Sequence, residues 1–92
     1  MREIDTTAEF RIVSRLTELQ RTTNGAYQDF LVEYVLAGGV RTLRVTAVGE
    51  ADCNEMATHV GEVRKAMLDM RTKKGKGQYE NKLFTNIYIR LV

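Results

Sequence analysis

The sequence predicts a mainly β domain of five strands, with one short helix between the third and fourth strands. Three observations support this prediction. Apolar residues recur at every second position over most of the chain, glycine-bearing turns separate these alternating segments, and one stretch rich in Ala, Glu and Met interrupts them. With 92 residues the chain has the size of one domain, so we expect residues 1–92 to form a single unit.

The first strand is predicted over residues 8–20, after a loose leader formed by residues 1–7. Its apolar alternation slips at Val13-Ser14, which indicates a bulge or a bend. Asn24-Gly25 then predicts a tight hairpin turn, because these two residue types tolerate the backbone conformations that such turns require.

The second and third strands are predicted over Tyr27–Leu36 and Val40–Val48, joined by a hairpin at Gly38-Gly39. Together with the first strand they form an antiparallel meander. The second strand has apolar residues on both faces, including Leu31 and Val35. This pattern leaves apolar surface to cover, so we expect a homo-oligomer, either a dimer or a tetramer.

A helix is predicted over Glu50–Val60, and Gly61 decides the structure of the next segment. If the helix continues through Gly61, an apolar stripe forms from Met56, Val60, Val63, Met67 and Met70. The alternative fold is then α+β, with a three-stranded meander, a long helix and a final strand. If the helix ends at Gly61, residues 65–72 alternate as a fourth strand of a five-stranded barrel. Periodicity alone does not choose between helix and strand for residues 62–71.

The last strand is predicted over Leu83–Val92, after a charged turn at Lys73–Gly77. Between Arg64 and Lys82 the chain has seven basic and two acidic residues, while the rest has seven basic and ten acidic residues. A basic segment on a nearly neutral body is typical of a protein that binds a polyanion. A solvated, lysine-rich turn that serves only solubility is the alternative interpretation.

Several classes of function are excluded by the residue content of the sequence. Cys53 and His59 are the single cysteine and histidine, too few for a zinc site, and nothing places a third group beside them for catalysis. The chain has no nucleotide-binding glycine motif and no nucleophile-elbow motif. We therefore expect no enzyme activity, no cofactor and no metal. We also expect a cytoplasmic protein without membrane contact, because no long apolar run, signal peptide or disulfide framework is present.

The order of strand, strand, strand, helix, strand, strand is that of the oligonucleotide-binding (OB) barrel. Local segments resemble bacterial and phage single-stranded-DNA-binding proteins: Thr23–Tyr27, Leu43–Ala51, Leu68–Lys74, and Tyr79 with Leu83–Thr85. The resemblance is diffuse and extends over about residues 8–92. It implies a minimal OB-fold core, similar to the small phage, plasmid or primosomal type, that takes part in DNA replication.

An OB barrel binds a single strand on the face of its second and third strands, between two loops. On this basis the expected nucleic-acid-binding residues are Arg21, Tyr27, Arg44, Arg71, Lys73, Lys74, Lys76 and Tyr79. The cations would contact phosphates and the rings would stack on bases. Phe84 and Tyr88 lie on the outer face of the last strand, where they serve either base stacking or a dimer contact. At Thr42 and Val48 the chain lacks the rings that the resembled family tends to carry.

Two functional hypotheses result. The first is sequence-tolerant binding of single-stranded nucleic acid, with DNA favoured by the resemblance, alone or with a replication protein as partner. The second is a small protein-binding module, such as an inhibitor from a phage or mobile element that docks on a host complex. The missing rings at Thr42 and Val48 motivate the second hypothesis.

Overall fold

The computed structural model of the chain describes residues 4–36 and 38–92, with the side chains of all of these except residues 4–7, 35, 36 and 79. In chain order the elements are β1 (Ile4–Arg15), β2 (Gln20–Thr22), β3 (Gly25–Leu36), β4 (Gly39–Val48), α1 (Glu50–Thr58), β5 (Val63–Lys74), a 3₁₀ turn (Gly77–Tyr79) and β6 (Leu83–Leu91). The fold is mainly β with one α-helix in this part of the chain, as the sequence predicted.

The five long strands close into a barrel. The sheet order is β1-β5-β6-β4-β3, and β3 pairs again with β1. All these pairings are antiparallel except that between β4 and β6, which is parallel and has one registered pair, Thr46 with Tyr88. The short strand β2 extends the β3 edge as a hairpin. The barrel class predicted from the sequence is therefore confirmed.

Several features differ from the sequence prediction. The helix follows the fourth strand, not the third, because Gln20–Thr22 forms a short extra strand before it. Residues 4–7 of the predicted leader belong to β1, where they pair with β5, and β1 ends at Arg15. Lys73 and Lys74, predicted in a turn, are the last residues of β5. Residues 4–7 are strand residues because they pair with the distant strand β5, a pairing that local sequence does not reveal, whereas Gln20–Thr22 pairs with the adjacent residues 25–27.

Side chains from every long strand fill the barrel interior. The buried apolar residues that form the core are Phe10, Ile12, Phe30, Val32, Val45, Ala47, Cys53, Met56, Ala66 and Ile89. Strand residues alternate between this core and the outer surface, as period-two patterning requires. The irregularity predicted at Val13-Ser14 is confirmed, since the register of β1 against β3 shifts between Ile12 and Ser14. The helix α1 closes one side of the core with Cys53 and Met56.

The segment after Gly61 is extended, so the long-helix alternative is wrong. Residues 63–74 pair with β1 on one side and β6 on the other. Val60 and Val63, which a continuous helix would bury, are exposed. Gly61 has a φ of 93°, which ends the helical path, and its N–H donates to the carbonyl oxygen of Ile12 at 2.7 Å. The chain is thereby attached to β1 before β5 begins.

Gly61→Ala is expected to destabilise the protein by about 1–2 kcal/mol, because an L-residue is strained at this backbone conformation. Within the described residues, no atom outside the two chain neighbours lies within 4 Å of the added Cβ, so backbone strain is the cause of the loss. Urea denaturation of the two proteins measures the difference. Unchanged or higher stability would contradict the assigned conformation.

Within residues 4–36 and 38–92, no helix has the length and apolar character needed to traverse a bilayer.

Candidate functional site

Four adjacent strands present one continuous outer face. Tyr27 on β3 lies opposite Val48 on β4, and Thr46 on β4 lies beside Tyr88 on β6. Tyr88 in turn lies opposite Asp69 on β5. Because directly opposite residues in a sheet point to the same side, these side chains share one surface outside the barrel.

A groove crosses this face and has two adjoining parts that share Val48 and Tyr88. The larger hollow, of about 520 Å³, is lined by Val48, Asp52, Met67, Asp69, Arg71, Tyr88, Ile89 and Arg90. The smaller one, of about 410 Å³, is lined by Thr22, Asn24, Gly25, Ala26, Tyr27, Asp29, Thr46, Val48, Asn86 and Tyr88. The groove therefore combines two rings with apolar groups, the carboxylates of Asp29, Asp52 and Asp69, and the guanidinium groups of Arg71 and Arg90.

The predicted site residues Tyr27 and Arg71 line this groove. Tyr27 is 41% exposed, which leaves its ring accessible for stacking. It lies directly across from Val48, a position where the sequence lacks a ring. Tyr27 on one side of Val48 and Tyr88 on the other thus supply aromatic surface that the residue at position 48 does not.

Arg21 and Arg44 lie beside the groove and are held by carboxylates. Both terminal nitrogens of Arg21 donate to Glu50, each at 3.2 Å. Arg44 donates through Nε to Oδ2 of Asp29 at 3.2 Å. Both arginine side chains are more than half exposed, so their remaining N–H groups face solvent and are available to a phosphate. These ion pairs fix the guanidinium groups, but they also lower the net positive charge of the face.

Arg71 contacts both a ring and a carboxylate of the groove. Its guanidinium lies over the Tyr88 ring, with Cζ 5.5 Å from the ring centroid. Its Nε donates to Oδ2 of Asp69 at 2.9 Å, and its Nη2 lies 2.9 Å from the same oxygen in an ion pair. Such a planar cation on an aromatic face is a cation–π contact. The ring of Tyr88 is therefore already covered by a planar donor group.

The basic arm, which we define as residues 71–83 at the joined ends of β5 and β6, continues the groove face. Lys73 follows Arg71 at the period-two spacing, so it lies on the same side of β5, and Phe84 lies opposite it on β6. Lys74 and Lys76 are exposed at the end of the arm. Among the described residues, none of these three lysines has an ion-pair partner. The backbone of Tyr79 lies in the 3₁₀ turn of the arm, and its side chain is outside the described part.

Tyr88, predicted from the sequence to serve either base stacking or a dimer contact, lies where the two parts of the groove meet. Asp69 was not among the predicted site residues, and its Oδ1 has no donor within the described part of the chain. The alternation of β6 does place Tyr88 on the outer face, but its position beside Thr46 depends on the parallel pairing of β4 with β6. That pairing has no local signal in the sequence.

Cys53 and His59 are not close partners of each other. The Cys53 thiol is buried and donates to the carbonyl oxygen of Ala47 at 3.3 Å. His59 instead contacts Glu62 through Nδ1 at 3.0 Å and Glu55 through Nε2 at 3.4 Å. In the described ranges, no group of three or more His, Cys, Asp or Glu side chains is arranged to hold a metal ion.

Burial raises the pKa of the Cys53 thiol, and the carboxylates of Asp52 and Glu50 add to the increase. The nucleophilic thiolate is therefore scarce in the folded state. A thiol reagent at mildly alkaline pH is expected to leave the native protein unmodified and to react fully in guanidinium. The absorbance of the released chromophore measures the labelling. Rapid labelling of the native protein would contradict the burial of the Cys53 thiol.

No known family model matches this sequence, and no curated protein is significantly similar to it.

Proposed function

We propose that the protein binds single-stranded nucleic acid, with DNA as the expected ligand, along the groove on the outer face of β3, β4, β6 and β5. Most of this interface is sequence-tolerant, because rings stack on any base and cations contact any phosphate. The observation that carries the proposal is the continuity of the groove. It joins Tyr27 to Tyr88 across Val48 and leads to the basic arm.

The strand arrangement supports the proposal as well. A closed five-stranded barrel with a helix before β5 is the architecture of OB folds, whose ligands lie across the middle strands and between two loops. In this chain the β2–β3 hairpin and the basic arm occupy those two flanks. A fold alone does not define a function, so the proposal depends on the side chains of the groove.

Binding of a dye-labelled oligo(dT) measured by fluorescence anisotropy at several salt concentrations tests the proposal. We expect binding that weakens linearly on a logarithmic salt scale, because phosphate contacts release counterions. A duplex of the same length should bind more weakly, because its bases are not available for stacking. No detectable binding at tens of micromolar protein, or binding that does not depend on salt, would refute the proposal.

Replacing Lys73, Lys74 and Lys76 together with Ala should reduce the salt slope by about two, since each lost contact to a single strand accounts for about 0.7. The matched control is Lys65→Ala. Lys65 lies on the same face of β5 as Lys73 but about 26 Å away, as the rise per strand residue implies. If the triple variant has the same salt slope as the control, the basic arm does not take part in the interface.

The ion pairs of Arg21 and Arg44 favour a second candidate, a protein-binding module, because they reduce the attraction of the face for a polyanion. The exposed apolar side chain of Leu83 in the basic arm would suit a protein partner. Stoichiometric co-purification of a protein, together with no mobility shift of any oligonucleotide, would favour this candidate over the first.

A further inference from the structure

Only one of the two carboxylate oxygens of Asp69 accepts a hydrogen bond within the described structure. Arg71 donates through Nε to Oδ2, while Oδ1 is covered from solvent and has no hydrogen-bond partner in the described structure. A buried carboxylate oxygen without a donor is unfavourable. The carboxylate of Asp69, which lines the groove, therefore keeps one oxygen that an N–H donor would satisfy if the groups covering it moved aside.

Asp29 provides a contrast on the same face. Its Oδ2 accepts from Arg44, and its Oδ1 accepts from the Thr46 hydroxyl at 2.7 Å. Both oxygens of Asp29 are thus engaged by the protein itself. The unmet oxygen of Asp69 is a property of its place beside Tyr88, not a general property of acidic residues on this surface.

The Arg71 guanidinium contacts both Tyr88 and Asp69, and its chemistry indicates which ligand would fit in its place. The Arg71 guanidinium is planar, lies over a ring and places N–H groups at a carboxylate. The Watson–Crick edge of guanine contains the same unit, because N1–H and the N2 amino group are adjacent donors on one planar carbon. No other standard base offers two adjacent donors on this edge: adenine and cytosine place an acceptor beside their amino group, and thymine places carbonyl oxygens on both sides of N3–H.

We propose that Tyr88 and Asp69 form a subsite for guanine. This proposal rests on the proposed function and adds one base preference to an otherwise sequence-tolerant interface. Guanine stacks on Tyr88, N1–H and N2–H donate to the two carboxylate oxygens of Asp69, and Arg71 moves out to a neighbouring phosphate. Arg71 is 57% exposed, so this movement does not disrupt the core. The hollow of about 520 Å³ has the size of ordinary small-ligand pockets.

The experiment compares oligo(dT) strands that carry one central substitution: guanine, adenine, cytosine or hypoxanthine, which lacks the N2 amino group. We expect the guanine strand to bind roughly tenfold more tightly than the all-thymine strand, within the range of one bidentate base contact. The hypoxanthine strand should lose most of this gain. Because it is measured on the unaltered protein, this comparison does not depend on the folding of any variant.

Asp69→Asn should bring the guanine and thymine strands to similar affinities, because an amide offers only one acceptor. Asp29→Asn serves as the matched variant: it can change the affinity for all strands together, but the ratio of guanine to thymine should be preserved. Equal binding of the four substituted strands and the all-thymine strand, or a guanine preference that survives in Asp69→Asn, would overturn the subsite and leave the proposed function intact. No binding of any strand would instead overturn the proposed function.

Discussion

Tyr88→Ala is expected to weaken oligo(dT) binding by roughly 5- to 150-fold, the range of about 1–3 kcal/mol that a stacked base contributes. Tyr88 lines both parts of the groove, so a strand that follows the groove passes its ring and stacks on it once Arg71 has moved away. Tyr27→Ala should have an effect of the same order, and the double variant should reduce binding below detection. Fluorescence anisotropy titration at one fixed salt concentration measures all three.

Tyr88→Phe is the control for this prediction. It keeps the ring and removes only the hydroxyl, so its affinity for oligo(dT) should stay close to that of the unaltered protein. If Tyr88→Ala binds as well as Tyr88→Phe, base stacking at this position is excluded, and the Tyr88 ring would have to serve another purpose such as a contact between subunits.

Phe30→Ala is expected to produce the largest loss of stability. Phe30 is 0% exposed and lies on β3, between its partners Arg15 on β1 and Val45 on β4. Truncating a buried phenylalanine costs about 3–5 kcal/mol, a large part of the total stability of a domain of this size. The midpoint of thermal unfolding should fall by at least about 15 °C, or the cooperative transition should disappear.

Val40→Ala provides the comparison for Phe30→Ala. Val40 is exposed at the beginning of β4, so its truncation should change stability by less than about 0.5 kcal/mol. Circular dichroism at increasing temperature records both variants. Similar unfolding midpoints for the two proteins would contradict the assignment of Phe30 to the core.

The barrel could be predicted because its signals are local. Period-two alternation identifies a strand wherever one face is buried, the slip at Val13-Ser14 marks the irregularity in β1, and Gly61 offers a place for the helix to end. The choice between helix and strand after Gly61 could not be made locally, since both patterns fit residues 62–71. It is decided by pairing with β1 and β6, which satisfies the backbone of β5 on both sides.

The content of the candidate site was less predictable. The sequence identified Tyr27, Arg44 and Arg71 by residue type and by their places in the first loop, the third strand and the late hairpin of the predicted barrel, but it did not reveal that each arginine is paired with a carboxylate. Arg44 and Asp29 are 15 residues apart, and they meet only because of the register between β3 and β4. The unmet oxygen of Asp69 likewise depends on how Arg71 and Tyr88 come together in space.

The parallel contact between β4 and β6 has a consequence for motion. Thr46 and Tyr88 are its one registered pair, whereas the neighbouring antiparallel strands share ladders of several pairs. We therefore expect the barrel to open first between β4 and β6. Backbone amides of β4 and β6 on either side of this contact should exchange with deuterated water before those between β3 and β4. A ligand bound across Val48 and Tyr88 bridges the contact between β4 and β6. Binding should therefore slow this exchange and stabilise the closed barrel.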